Sequence, residues 1–452
     1  MKRCRSRALT RLGDVISGFC TLGTIGIVAL ALAGCGDHAK LPESAGIGPH
    51  PELPAPTTTL LPTLKIAPAT GWSGGPKPVP AQGLAVKALA QNLQHPRRVY
   101  VLPNGDVLVA ETAAPPKPDD QKGIRGFVQK QVYKMNGSAG PSANRITLLR
   151  DSDGDGTADV RTVFISGLNS PFGMVLVGHD FYVANTDAVV RFHYQPGQTH
   201  IEGGGEKIVD LPAGSINHHW TKDLTASPDG AKLYATVGSN SNAGDNGLAA
   251  EEGRAAVWQI DLKTGTHRIF ASGLRNPNGP SFAPHSDVLW VAVNERDELG
   301  SDLVPDYITS VKDGGFYGWP FSYWGQHVDN RVKPQNPDLV AKAIVPDYAM
   351  GNHVAALGLV FSAGANLGDR FSEGAFVGEH GSWNRNPLSG YKVVFVPFAN
   401  GKPSGMPVDV LTGFVNANGD AQGRPVGVAI GKDGALLVAD DVGNTVWRVT
   451  RK

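Results

Sequence analysis

Eight residues carry the most legible chemistry in this sequence: Arg97, Asn169, His218, His219, Arg275, Asn276, Asn278 and Arg424. Each stands at the start of a repeated strand–turn–strand segment, where the chain leads into the first strand. The set consists of cations, amides and imidazoles. An arginine can bracket a carboxylate with two parallel hydrogen bonds. Brought together, the set suits an anionic, carbonyl-rich ligand. The adjacent imidazoles His218 and His219 oppose each other's protonation, which favours a neutral base near pH 7. A separate run, Asp151-Ser152-Asp153-Gly154-Asp155-Gly156, puts oxygens at its first, third and fifth positions and Gly at the sixth. That order suits a hard cation such as Ca2+. The twelfth position is Thr162 rather than Glu, so this is not a full EF-hand. It reads either as a structural Ca2+ turn or as a plain Asp/Gly hairpin.

The eight residues converge only if their segments form a ring. Six segments share one shape, starting at Asn92, Gly167, Ile216, Gly273, Ala356 and Gly423. Each has an apolar strand, a turn and a second apolar strand. The turns Asn104-Gly105, Asp229-Gly230 and Asp433-Gly434 are strong hairpin signals. The second strands read VLVAE, FYVAN, LYATV, LWVAV, AFVGE and LLVAD. Most are continuous apolar runs, as expected of strands buried on both faces. Residues 83–452 divided among six units give roughly 60 per unit, longer than a WD40 blade of ~40–45. The expectation is an all-β, single-domain, six-bladed β-propeller from about Gly83 to Lys452. Four-stranded sheets then surround a channel, and the lead-in loops open at one end of it.

Composition agrees. Gly and Pro make up 90 of 452 residues, about a fifth against a usual ~12%, which excludes a long helical bundle. The cysteines are Cys4, Cys20 and Cys35. The rest of the chain therefore has no disulfide framework, thiolate metal site or thiol nucleophile. Residues 1–34 read as an export signal, with a basic start and an uncharged apolar stretch from Val15 to Ala33. Leu32-Ala33-Gly34-Cys35 reads as a lipobox, with Cys35 acylated. Residues 35–82 are then a lipidated Cys and a Pro-rich tether, with ten prolines between Leu41 and Pro80. The domain is expected to be exported and held to a bacterial membrane by lipid alone, facing the periplasm or cell surface. Without the leader the net charge is −4 and no basic stripe remains, so no nucleic-acid partner is expected.

The most specific stretch is Gly273-Leu274-Arg275-Asn276-Pro277-Asn278-Gly279. Together with PNGDVLVAE from Pro103, GGFYGWP from Gly314 and GRPVGVA from Gly423, it resembles the quinoprotein glucose/sorbosone dehydrogenases, nearest the sorbosone branch. The resemblance covers residues 83–452. It implies a six-bladed propeller that uses pyrroloquinoline quinone (PQQ) and Ca2+ to oxidise an aldose or sorbosone-type sugar. In that family the catalytic His precedes a Leu by five positions, which selects His219 ahead of Leu224. Where the family often has an acid beside this base, His218 stands. Arg275 and Asn276 match the pair at the quinone and substrate oxygens. Asn278 stands where Gln is common. Arg424 matches an arginine facing the cofactor carboxylates, although a second arginine two residues on is Val426 here. Arg385 stands in for a family Lys, and Asn169 for a Gln. The cation loop corresponds to Asn294–Asp302, with Asp297, Glu298, Asp302 and Asp306 as candidate ligands. The chain has no CxxCH haem site, so the electron acceptor would be a separate cytochrome or a membrane quinone.

Two other readings fit a six-bladed scaffold. One is a metal-dependent lactonase, for which the ring is rich in Arg and His and poor in acids. The other is a non-catalytic surface-binding propeller. The aromatic run Gly314–Gly325 suits either stacking on a planar ligand or packing between blades.

Overall fold

The computed structural model describes residues 36–57, 59, 63–116, 135, 137 and 140–452. Six sheets, each built on four antiparallel strands and three of them extended by further strands, follow one another along the chain. Blade 1 runs Pro96–Val101, Val107–Glu111, Arg145–Arg150 and Val160–Ile165. Blade 2 runs Met174–Val177, Asp180–Ala184, Ala188–His193 and Glu206–Asp210. Blade 3 begins at Leu224–Ala226 and Lys232–Val237, blade 4 at Pro277–Phe282 and Leu289–Val293, and blade 5 at Ala356–Phe361 and Gly374–Glu379. Blade 6 consists of Pro425–Ile430, Leu436–Asp440, Thr445–Arg451 and Leu84–Ala90. This is the expected β-propeller. The second strands are the apolar runs read from the sequence, and every residue of Val107–Glu111, Leu289–Val293 and Leu436–Asp440 is buried.

The last blade is closed by the beginning of the domain. Leu84 pairs with Arg451 and Val86 with Val449, so the amino-terminal strand is the outermost of blade 6. The first strands of the blades come very close around the axis, and four of them carry a glycine at the contact. A Cβ on Gly173 would lie 2.3 Å from the amide nitrogen of Leu224, and one on Gly358 2.2 Å from the carbonyl of Val426. On Gly279 and Gly427 it would lie 2.4 Å and 2.6 Å from the backbone of the neighbouring blade. Glycine is therefore required there for packing, and it punctuates the repeats as PFG, PNG, ALG and PVG.

The expectation for residues 36–80 changes. A free tether was anticipated, but the described part of this segment lies on the propeller as a strap. Ile47–Gly48 pairs with Tyr348–Asn352 and adds a fifth strand to blade 4. Val79–Pro80 does the same for blade 5 against Val408–Thr412. Trp72 stacks edge-on against Phe414 and Trp447, and its indole N–H donates to Asp440 at 2.6 Å. The composition is extended and proline-rich, and that suits a strap laid over a surface as well as a free linker.

The aromatic run Gly314–Gly325 takes the packing role. Tyr317, Trp319, Phe321, Tyr323 and Trp324 are all buried. The Tyr317 hydroxyl donates to the Ser310 carbonyl at 2.6 Å and the Trp319 indole to the Asn242 carbonyl at 3.0 Å.

Candidate active site at the channel mouth

His219 stands on the loop leading into blade 3. Its Nδ1 lies 3.0 Å from the Ser239 carbonyl and 2.9 Å from Ser239 Oγ. The Ser239 hydroxyl gives its own proton to the Ser241 carbonyl at 2.7 Å. Both neighbours of Nδ1 are therefore acceptors, so the ring proton sits on Nδ1 and Nε2 carries the lone pair. Burial, with the nearby charges of Arg275 and His218, holds this imidazole well below its ordinary pKa. Beneath it, the fully buried Lys222 points its ammonium at the carbonyls of His219 and Trp220, 3.4 and 3.3 Å away. Burial and the charge of Arg254 bring Lys222 down to about 7.

Gly238 joins the base to its neighbour. A Cβ there would lie 2.4 Å from His219 Cβ and 2.5 Å from Asn276 Oδ1. The bare backbone lets imidazole and amide sit side by side. Asn276 Oδ1 is buried and has no hydrogen-bond partner. Asn278 braces this arrangement: its amide donates to the Asn276 carbonyl at 3.1 Å and accepts from Thr221 at 3.3 Å.

Arg275 is held differently. Its Nε donates to the Asn242 carbonyl, Nη1 to the carbonyls of Asn294 and Glu295, and Nη2 to Asn242 Oδ1 and Asp297. Its donors are thus engaged within the protein. It contributes charge beside His219 and ties the blade 4 loop to blade 3.

Across the mouth stands a second group, centred on Asp441. Arg97 Nη1 lies 2.6 Å from its carboxylate, His380 Nε2 2.9 Å and His95 Nε2 3.7 Å. Burial works against the charge on Asp441, but the surrounding His380, His95 and Arg97 hold its pKa well below the carboxylate range. Burial pushes His380 down to about 4 despite Asp441. The Arg97 guanidinium also lies 5.9 Å from the Phe172 ring and 5.8 Å from that of Trp220, so it reaches the residue next to His219. Arg424 stacks 4.8 Å over Tyr391 and bonds its hydroxyl at 3.0 Å. Arg424 is buried and Arg97 half-buried, each with a buried Nε–H that has no partner, and their like charges oppose one another.

Asn169 and Arg385 bond none of these groups, and of the acidic candidates Asp297 joins them through Arg275. Asn169 is exposed, and its backbone amide bonds Asn185 at 3.2 Å. Arg385 is buried on the rim, bonding the carbonyls of Ser301 and Pro387 and standing 3.9 Å from Asp302. The four rim acids do not assemble one cation site. Asp297 receives Asn384 and Arg275, and Glu298 is exposed. Asp302 receives the strap amides of Lys40 and Leu41 at 2.7 and 3.2 Å. Asp306 receives the amides of Glu295 and Ala356 at 2.7 and 3.1 Å, and burial raises it to about 7. Among the described residues, the one group of three acids close enough to share a metal is Asp151, Asp153 and Asp155, whose ligand oxygens fall within 4.8 Å of one another. Cys35 lies outside the described residues.

His95, His380, Asp441, Ser239 and Lys222 were not singled out from the sequence. A signal existed for two of them. His380 and Asp441 directly follow the second strands of their blades, a position that opens at the same end as the lead-in loops.

A family model described as a domain of unknown function, DUF7133, matches residues 81–446. The chain belongs to the DUF7133 family. Sequence relatives of this DUF7133 chain include an uncharacterized protein of Borreliella burgdorferi, 30% identical over 241 residues, covering 53% of this chain and 62% of that protein. An aldose sugar dehydrogenase of Escherichia coli is 29% identical over 119 residues, 26% of this chain and 27% of its own length. A pyrroloquinoline quinone-dependent pyranose dehydrogenase of Coprinopsis cinerea is 35% identical over 132 residues, 25% of this chain and 17% of its own length. The match thus spans less than two thirds of each curated relative. Among solved structures, the holo form of the PQQ domain of Coprinopsis cinerea pyranose dehydrogenase superposes with TM-score 0.66 at 20% identity, covering 86% of this chain and all of that one. A calcium structure of a Trichoderma reesei carbohydrate-active enzyme of family AA12 gives TM-score 0.66 at 18% identity, covering 86% of this chain and 99% of that one. These structures share the fold.

Proposed function

We propose that this chain is an exported, lipid-anchored quinoprotein dehydrogenase that oxidises an aldose, pyranose or sorbosone-type sugar at the channel mouth, with PQQ as cofactor. The observation that carries this reading is the pairing of unused groups. A lone pair on His219 Nε2 and a free oxygen on Asn276 stand on one side, and the guanidiniums of Arg97 and Arg424, each with a buried unpartnered Nε–H, on the other. A planar dianion or trianion with carboxylates fits the second set, and a hydroxyl donor fits the first.

In this reading Arg97 and Arg424 hold the cofactor's carboxylates, and their mutual repulsion is relieved when they do. When bound, PQQ supplies an o-quinone that accepts two electrons. Asn276 Oδ1 accepts from a neighbouring sugar hydroxyl and so orients the substrate. His219 Nε2 takes the hydroxyl proton as carbon–hydrogen cleavage proceeds, a role open to a neutral imidazole. Ser239 keeps the ring in the required tautomer. The Arg275 charge stabilises negative charge developing on the substrate oxygen. Ca2+ is proposed at the Asp151–Asp155 turn, where Asp151 Oδ1 is buried without a partner. At the rim, Asp297 is taken by Arg275 and Asn384 and Asp306 by backbone amides, while Asp302 keeps one buried oxygen without a partner. With no CxxCH haem site in the chain, a separate cytochrome or a membrane quinone would receive the electrons.

The test uses chelator-stripped protein, with PQQ and Ca2+ added separately and together and dye reduction followed on aldoses, pyranoses and sorbosone. Turnover that requires PQQ and is lost in His219→Ala is the expected result. Absence of PQQ binding would overturn the reading in favour of a binding propeller.

A further inference from the structure

We propose that the strap holds the channel mouth directly against the lipid surface, with no spacer between anchor and site. This inference rests on the reading of Cys35 as the lipidated residue, and it reverses what a proline-rich tether implies. The strap is fastened to the rim from its first described residues. Asp37 accepts the Ser301 amide at 2.8 Å, and its carbonyl accepts the Ser301 hydroxyl at 3.0 Å. The Ala39 amide donates to the Asn386 carbonyl at 2.8 Å. The amides of Lys40 and Leu41 donate to Asp302. Farther on, the Thr57 amide bonds the Leu299 carbonyl and that of Lys65 the Trp383 carbonyl, both at 2.9 Å. These partners belong to two loops. One carries Asp297, the acceptor of Arg275, and the other carries Asn384, which also bonds Asp297.

Cys35 precedes Asp37 by two residues, and two residues span at most about 7 Å. An acyl group on Cys35 therefore enters the bilayer within roughly that distance, plus its own linkage, of Ser301. Among the described residues no helix is long and apolar enough to cross a membrane. The rim of blades 4 and 5 faces the headgroups, and the hairpin turns at the other end of the channel face away. An electron acceptor dissolved in the bilayer is then the nearest one to the site.

The experiment uses the full lipidated chain in anionic phospholipid vesicles. Apart from the acylated Cys35, the processed chain has no cysteine, so single labels are clean. Glu298→Cys reports the rim, and Asp287→Cys reports the far end. Each carries a fluorophore read against a headgroup-borne quencher. Quenching several-fold stronger at the rim is expected. A glycine–serine spacer of some twenty residues inserted before Gly36 should bring the two labels to similar quenching. Equal quenching in the unmodified chain, or no effect of the spacer, would overturn the proposal. Mass spectrometry that finds no acyl group on Cys35 would also overturn it, while PQQ-dependent turnover, read separately, would leave the catalytic reading in place.

Discussion

The two sides of the channel mouth are built on opposite principles. On the side of blades 3 and 4, the groups are brought together by close backbone approach and neutral hydrogen bonds. The bare Gly238 lets His219 and Asn276 touch, and Ser239 fixes the imidazole. On the side of blades 5, 6 and 1, one carboxylate, Asp441, gathers a guanidinium and an imidazole from the start of blade 1 and a second imidazole from the exit of blade 5. The first arrangement leaves a lone pair and an amide oxygen free, which suits proton transfer. The second leaves positive charge only partly compensated, which suits holding an anion. The contrast shows how one ring of similar residue types can divide two tasks.

The sharpest test of that division is His219→Ala. It should lower kcat by about 10²–10⁴, the usual contribution of a positioned general base, while PQQ affinity measured by titration changes little. If the same variant abolished PQQ binding, the two sides would not be separable. Asp441→Asn should act on the fold instead. It leaves the Arg97 guanidinium without its countercharge and His380 without its carboxylate partner, and breaking a buried ion pair costs about 3–5 kcal/mol, visible as a lower melting temperature and weaker PQQ binding.

A milder probe is pH. His380, brought down to about 4, resists a proton that the unfolded chain accepts near 6.5. The stability it contributes is complete above pH 6.5 and is lost as pH falls from there toward 4. His219 is depressed in the same direction. Melting temperature should therefore decline over that window, and His380→Asn should flatten the decline. The acid limb of kcat/KM should fall below pH 6.5. The smallest expected effect is that of Lys222→Met. The ammonium of Lys222 is one of the charges that lower His219, so its removal should move the acid limb upward. An unchanged limb would show that Lys222 serves only the backbone of the loop.

The blades were legible because their signal repeats. A turn followed by an apolar second strand recurs six times, and the inner-strand glycines recur with it. The lead-in residues were legible through that frame, and His219, Asn276, Arg275 and Arg424 do gather at the mouth. The surroundings of the rim acids were not legible, because a carboxylate's type says nothing about what it receives. Asp302 and Asp306 receive backbone amides, which no side-chain pattern records. The strap was hidden for the same reason. It is fastened mostly by backbone groups, and its composition is that of a linker. Asp441 and His380 were missed because they follow the second strands, while the convergence argument followed only the first.

The pairing of Leu84–Ala90 with Thr445–Arg451 has a consequence in time. The domain's first strand must wait for nearly its last residues before it can enter a sheet. A chain still being made or threaded through a membrane thus remains an open arc, with an unpaired edge at each end. Contacts so distant in sequence make folding slow, and an unpaired edge is a template for wrong partners. Loss of the strand at either end of the propeller domain, Leu84–Ala90 or Thr445–Arg451, should therefore unlatch the whole circle rather than fray one blade.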